Sequence, residues 1–139
     1  MLSQQEISDR LEIQQLLVDY STAIDTRNFD GLDAVFIPEA YIDYRALGGI
    51  DGRFPEVKAW LAEVLPNFAN YSHMLGLPAI RVDGDTATAR TFCYNPMVFS
   101  GENDPTMFVG LWYDDQFVRT ADGWRMSRRS EIKCFQKMP

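Results

Sequence analysis

The chain contains a single histidine, His73, so acid–base chemistry near neutral pH would use either this residue or a carboxylate with a raised pKa. Histidine is the only side chain whose unperturbed pKa, about 6.5, lies in this range. Upstream lie a carboxylate, Asp25, and two phenols, Tyr20 and Tyr44. This combination suits proton transfer on a small organic molecule. The alternative is that His73 is a structural histidine, and the residues alone leave both interpretations equally open.

Three helices are predicted in the first half of the chain. The segment from Ser3 to about Asp25 begins with a capping-box pattern and continues with apolar residues at helical spacing. A short second helix is expected from about Phe29 to Phe36, with Asn28 as its N-cap. A third helix is expected to begin at Pro55, because proline lacks a backbone N–H and the first helical position does not need one, and to end before Pro66.

The other predicted elements are strands, beginning with a short alternating segment from Ala40 to Tyr44. Four longer strands are predicted at Tyr71–Val82 (with a break expected at Gly76–Pro78), Thr86–Phe99, Thr106–Arg119 and Trp124–Phe135. Helices followed by long antiparallel strands predict a segregated α+β fold in one domain over residues 1–139. Because long strands twist and coil, we expect a strongly curved sheet whose concave face encloses a ligand cavity.

The composition excludes several classes of function. The 13 Lys and Arg residues are outnumbered by 20 Asp and Glu residues, and the net charge of −7 argues against binding to nucleic acid or to an anionic membrane. No apolar run is long enough for a membrane helix, and the first residues do not resemble a secretory signal. The two cysteines need no disulfide framework, so we expect a cytoplasmic protein. No zinc-ligand spacing and no phosphate-binding glycine motif is present, so we expect no metal and no cofactor.

Several segments of the chain resemble the SnoaL-like, scytalone-dehydratase-like branch of the nuclear transport factor 2-like superfamily. They follow the order and spacing of that branch along nearly the whole chain, at Tyr20–Asp25 with Phe29–Leu32, at Phe36–Tyr44, and at Tyr113–Thr120 with Asp122–Met126. The resemblance implies a cone-shaped α+β barrel in which three N-terminal helices pack on a strongly curved antiparallel sheet. It is less informative about the reaction, because related chains include dehydratases, isomerases, cyclases, dehydrohalogenases, epoxide hydrolases and proteins without enzymatic activity.

The resemblance also implies a set of site residues. The histidine that acts as base in the dehydratases falls on His73, and the aspartate that pairs with it falls on Asp25. The helix tyrosine of the branch falls on Tyr20, and the strand tyrosine falls on Tyr44.

A basic residue on the last strand completes this set. It is expected at Arg129, with Arg128 as the alternative, because the side-chain alternation of that strand is ambiguous. The full set resembles the bile-acid 7α-dehydratases most closely, and its His–Asp–Arg part resembles hexachlorocyclohexane dehydrochlorinase. Scytalone dehydratase has a second histidine that this chain lacks, and ketosteroid isomerase has a carboxylate base where this chain has Tyr44.

Each of these residues also has a purely structural interpretation. Asp25 could cap the loop after the first helix, and the two tyrosines could be core residues with their hydroxyls satisfied elsewhere. Arg129 could pair with Asp114, Asp115 or Glu131. In the catalytic interpretation, the aspartate orients the histidine, and general-base help of this kind accelerates a reaction by about 10²–10⁴-fold. Arg129 would then help to bind an anionic substrate group or a leaving group.

Resemblance and residue types together predict a cofactor-free lyase. It would remove water or another β leaving group from a small hydrophobic polycyclic, terpenoid-like or polyketide-like carbonyl compound. Tyr20 or Tyr44 would stabilise the developing oxyanion or assist the leaving group. The alternatives are an isomerase or cyclase with the same His–Asp pair, and a non-catalytic protein that binds a small hydrophobic ligand. We also expect a homodimer or a higher assembly, because the strands from Thr86 to Phe135 carry apolar side chains on both faces and one helix layer covers only one.

Overall fold

The computed structural model describes residues 1–139. It contains two α-helices, α1 (Gln4–Asp25) and α2 (Phe54–Val64), neither of which is long and apolar enough to cross a membrane. Three short 3₁₀ helices cover Phe29–Ala34, Arg45–Leu47 and Leu65–Asn67. The nine strands are β1 (Phe36–Asp43), β2 (Asp51–Arg53), β3 (Phe68–Tyr71), β4 (Met74–Leu75), β5 (Ala79–Asp83), β6 (Thr86–Tyr94), β7 (Met97–Phe99), β8 (Thr106–Thr120) and β9 (Gly123–Lys137).

Helix α1 follows the predicted pattern and contains two of the expected site residues, Tyr20 and Asp25. The Ser3 hydroxyl accepts a hydrogen bond from the Glu6 backbone N–H at 3.1 Å, which satisfies one of the unpaired N–H groups at the start of the helix. The Glu6 carboxylate does not complete the capping box and binds Arg10 instead. Residues at helical spacing form the buried face, which comprises Ile13, Leu17, Tyr20 and Ile24, each at most 3% exposed. This face packs Tyr20 against the sheet, and the helix ends at Asp25.

The second predicted helix differs from the structure in type and length. Phe29–Ala34 is a 3₁₀ helix, the chain enters β1 at Phe36, and Asn28 makes no side-chain capping hydrogen bond. Six residues that include Gly31 are too few to offset the cost of nucleating an α-helix, whereas 3₁₀ turns commonly serve as short connectors. The predicted three helices are therefore two α-helices and one 3₁₀ helix.

The strands form a large, mostly antiparallel sheet that does not close into a barrel. Its hydrogen-bonded order is β2–β1–β9–β8–β6–β4, while β5 pairs with β6, and β7 pairs with both β3 and β8. The sheet is mixed, because β1 runs parallel to β9. Both α-helices contact the sheet, and 27 buried hydrophobic residues form one core. The predicted α+β class is confirmed.

Two predicted strands are interrupted near the end of α1, and these interruptions shape the site. One separates β3 from β4 at Ser72–His73, and the other separates β6 from β7 at Asn95–Pro96. Proline cannot donate a ladder hydrogen bond, so regular pairing stops there. The two interruptions face each other, because the strand residues on either side of them are paired. His73 donates its backbone N–H to the Asp25 side chain, Asn95 keeps a backbone hydrogen bond to Val109 on β8, and both residues line one cavity.

Candidate active site

A cavity of about 270 Å³ lies between α1, α2 and the sheet. Thirteen of its 18 lining residues are hydrophobic. The lining side chains that can exchange hydrogen bonds or protons are Tyr20, Tyr44, His73, Asn95, Tyr113 and Glu131. A larger depression of about 820 Å³ beside β5 has only three hydrophobic residues among its 13 lining residues and contains no histidine or tyrosine. The acid–base groups therefore line the smaller, mainly hydrophobic cavity.

His73 and Asp25 form a two-point contact at the edge of this cavity. The Asp25 Oδ1 lies 2.6 Å from the His73 Nδ1, and its Oδ2 accepts the His73 backbone N–H at 2.9 Å. The His73 side chain is 6% exposed and the Asp25 side chain 26% exposed. Because a carboxylate only accepts hydrogen bonds, the proton between the two atoms is assigned to His73 Nδ1. The other ring nitrogen, Nε2, is then the one that can act as a base. A carboxylate is disfavoured at a helix C-terminus, and these two donors compensate for that position.

Aromatic neighbours hold the imidazole ring in place. The Tyr20 and Tyr71 rings each meet it edge-on, with ring centroids 6.4 Å apart. The Tyr71 hydroxyl in turn donates to the backbone oxygen of Ile24 at 3.0 Å, which ties the end of β3 to the last turn of α1. The histidine is therefore fixed by hydrogen bonds on one side and by packing on two others.

Tyr20 and Tyr44 form a second pair inside the cavity. Their hydroxyls share a hydrogen bond, and both residues are at most 4% exposed. Burial raises the pKa of Tyr20 to about 12 and raises the pKa of Tyr44 well above its usual value, so both phenols are neutral. One phenolic proton lies between the two oxygens, and the other remains free to donate to a bound molecule.

The loop after β1 positions Tyr44, which follows the last residue of that strand. Gly49 packs directly against it, and a β-carbon at position 49 would lie 2.9 Å from both the Tyr44 Cβ and the Trp60 ring. Gly48 adopts a left-handed φ of 88°, which most residues avoid. The Gly48–Gly49 pair thus permits the close approach that brings the phenol to the cavity.

Arg129 lies behind the tyrosines and does not line the cavity. It is 1% exposed and donates two hydrogen bonds to Asp115, at 2.7 and 2.9 Å. Its guanidinium lies over the rings of Tyr113 and Tyr20, 3.6 and 4.2 Å from their centroids. Of the three pairings that the sequence offers for Arg129, the structure contains the one with Asp115. This ion pair is buried.

Arg128 points to the opposite side of β9, where its guanidinium stacks over Tyr41 at 4.8 Å. The choice between the two arginines is made by a β-bulge. Gln116 pairs with Arg128 and Phe117 pairs with Met126, so Ser127 is an extra residue on β9. The bulge reverses the alternation of side chains beyond it.

The sequence pattern indicates Glu131 only as an ion-pair partner of Arg129, whereas in the structure its side chain lines the cavity. It lies two residues after Arg129 and therefore on the same face of β9. Burial raises the pKa of its carboxyl to about 8, against a smaller opposing effect of Arg129. The signal that could have found it is the alternation of β9 once the bulge is known.

No sequence pattern singles out Asn95 as a site residue. It is 8% exposed, its side-chain oxygen is buried without a hydrogen-bond partner, and the residue lines the cavity. Buried polar atoms are nearly always satisfied, so this amide is available to a bound molecule. No group of three or more His, Cys, Asp or Glu side chains is placed to hold a metal ion.

Sequence comparisons agree with this architecture. The family model of the SnoaL-like domain matches residues 5–130. An uncharacterised protein of Mycobacterium tuberculosis is 70% identical over 138 residues, which cover 99% of this chain and 94% of that protein.

Solved structures share the fold. A candidate aromatic ring hydroxylase from Novosphingobium aromaticivorans is 28% identical, with a TM-score of 0.85 over 96% of this chain and 94% of that chain. A candidate scytalone dehydratase from the same organism is 19% identical, with a TM-score of 0.85 over 96% and 89% of the two chains. A hexachlorocyclohexane dehydrochlorinase from Novosphingobium barchaimii is 17% identical, with a TM-score of 0.82 over 96% and 91%. The domain match spans most of the chain, and we conclude that the chain belongs to the SnoaL-like family and has the fold of nuclear transport factor 2-like proteins.

Proposed function

We propose that this protein is a cofactor-free lyase that eliminates a β leaving group, water first of all, from a small hydrophobic carbonyl compound. The observation that carries the proposal is the Asp25–His73 pair, in which Nδ1 is occupied by the carboxylate and the ring lines an apolar cavity. Membership of a family whose structural neighbours include dehydratase-type and dehydrochlorinase proteins supports a lyase.

The proposed reaction begins with the histidine. Its Nε2 takes a proton from the carbon next to the substrate carbonyl, and Asp25 stabilises the imidazolium that forms. The free phenolic proton of the Tyr20–Tyr44 pair donates to the carbonyl oxygen as it gains negative charge. The electron pair then returns and expels the leaving group from the β carbon.

The size and lining of the cavity suggest the class of substrate. A volume of about 270 Å³ lies just below the usual range of about 300–1,000 Å³ for ligand sites, so we propose a compound of one or two rings. Met97 and Met107 line it together with Trp60 and Phe68, and flexible methionines adapt to irregular ligand shapes.

The test uses β-hydroxy aryl ketones as probes, with enone formation followed by absorbance and product mass. The wild type should yield a product lighter by one water, and His73→Ala should slow this by about 10²–10⁴-fold while remaining folded. Ser72→Ala is the matched control, because it alters the adjacent exposed side chain in the same interruption. A product of unchanged mass would identify an isomerase, and binding without turnover would identify a ligand-binding protein.

A further inference from the structure

We propose, on the basis of the lyase function above, that Glu131 is the catalytic acid that protonates the departing group, and that this site therefore eliminates a hydroxyl rather than a halide. Glu131 and His73 reach the same cavity from different elements, β9 and the interruption between β3 and β4. A base and an acid are thus available to one small bound molecule.

The surroundings of Glu131 keep its proton in place. Its carboxyl makes no salt bridge. The neighbouring cation, Arg129, binds Asp115 through Nε and Nη2, and its Nη1 is buried without a hydrogen-bond partner. Several other charged or titratable groups interact electrostatically with the Glu131 carboxyl. They are Asp43 at the end of β1, Tyr20 on α1, Tyr44 after β1, Cys93 on β6 and Tyr113 on β8. None of these is a cation. The carboxyl pKa of about 8, caused mainly by burial, means that the acid form prevails at neutral pH.

The proposed step balances without any further reactant. His73 Nε2 receives the proton from the α carbon, and the C–H electron pair becomes the new carbon–carbon double bond. The β carbon–oxygen bond breaks, its electron pair goes to the oxygen, and Glu131 donates its O–H proton to that oxygen to form water. The products are an enone and water, and the protein resets when the imidazolium proton returns to Glu131 through solvent.

The leaving group follows from this arrangement. Hydroxide is a poor leaving group and requires a proton, whereas a halide departs as a stable anion and requires none. A carboxylic acid with no role in protonation would be a costly group to place unpaired in an apolar cavity. Pairs of titratable groups whose environments drive their pKa values apart commonly divide acid and base roles between them.

The experiment compares two probes that give the same enone, a β-hydroxy aryl ketone and its β-(para-nitrophenoxy) analogue, whose leaving group needs no proton. Glu131→Gln should lower the ratio of the hydroxy rate to the nitrophenoxy rate by about 10²-fold or more. His73→Ala should lower both rates together. Glu63→Gln, which changes an exposed glutamate on α2, is the matched control and should leave the ratio unchanged.

The outcomes separate the two proposals. If Glu131→Gln leaves the ratio unchanged, the acid role is overturned and the lyase function stands. If the wild type forms enone from neither probe, both proposals fail. Should Glu131→Gln not fold, the wild type decides: the hydroxy rate should fall as pH rises through about 8, where Glu131 loses its proton, while the nitrophenoxy rate does not. Parallel pH profiles would overturn the acid role.

Discussion

At the residue scale, the proposed chemistry depends on how Asp25 holds His73. The carboxylate binds both the ring and the backbone N–H of the same residue, so it fixes the position of the histidine as well as its tautomer. Asp25→Asn should keep the fold and one hydrogen bond to His73, but the amide can present its N–H₂ to Nδ1 and favour the other tautomer. We expect kcat/KM to fall by as much as about 10⁴-fold, as steady-state kinetics on the β-hydroxy probe can measure. If this variant kept the wild-type kcat/KM, Asp25 would have no role in the mechanism.

The Tyr20–Tyr44 pair also makes a prediction at this scale. Only one phenolic proton of the pair is free, and the other phenol orients it. Tyr20→Phe and Tyr44→Phe should each lower kcat by about 10²-fold, and the double variant should lose little more than the worse single variant. Tyr41→Phe serves as the control, because that phenol binds Asp51 away from the cavity. Fully additive losses would mean that the two hydroxyls act independently.

At the element scale, β8 and β9 carry a buried ion pair that supports the wall of the cavity. Asp115 is opposite Arg129 on the adjacent strand, and both side chains are at most 1% exposed. The guanidinium lies against Tyr20 and Tyr113, so it buttresses two cavity residues from behind. The predicted role of Arg129 in binding an anionic group stays a prediction, and its structural role rests on these contacts.

Removing one partner from this pair should be strongly destabilising. Asp115→Asn leaves the buried guanidinium without its counter-charge, and we expect the free energy of unfolding to fall by about 3–5 kcal/mol in chemical denaturation. Asp114→Asn provides a neighbouring control on the same strand. That carboxylate is 47% exposed and lies 3.9 Å from Arg90, so its loss should cost less than about 1 kcal/mol. Equal effects of the two changes would show that burial does not set the strength of the pair.

At the scale of the whole molecule, the outer face of the sheet favours self-association. Phe92 and Trp112 pack against each other on this face, and Ile132 and Phe135 remain 38% and 44% exposed. A contiguous apolar patch seldom stays in contact with water on a monomer, and two-fold dimers are the commonest assembly. We therefore predict a homodimer, or an assembly of dimers, formed through this face.

Sedimentation equilibrium at micromolar concentration provides the measurement. The wild type should sediment as at least twice the chain mass of 15.9 kDa, and Ile132→Glu should shift it toward that mass. Leu11→Glu changes an exposed apolar residue on α1 instead and should leave the assembly intact. A wild-type species of the single-chain mass would rule out the predicted dimer.

The sequence by itself determined the features that depend on local patterns. The helical spacing in α1 and the proline at the start of α2 predicted elements that the structure contains. These signals are local because they reflect backbone preferences and the periodicity of burial. The matching segments also predicted the family and a pairing of Asp25 with His73 across 48 residues.

Only the tertiary structure decided which side chains share the cavity. The bulge at Ser127 turns Arg129 inward and Arg128 outward, and it places Glu131 on the cavity side of β9. The parallel pairing of β1 with β9 and the alignment of the two strand interruptions are likewise long-range. One inserted residue moves every side chain beyond it to the opposite face of the sheet. Whether a strand accommodates such a residue is set by its partner strand and not by its own sequence.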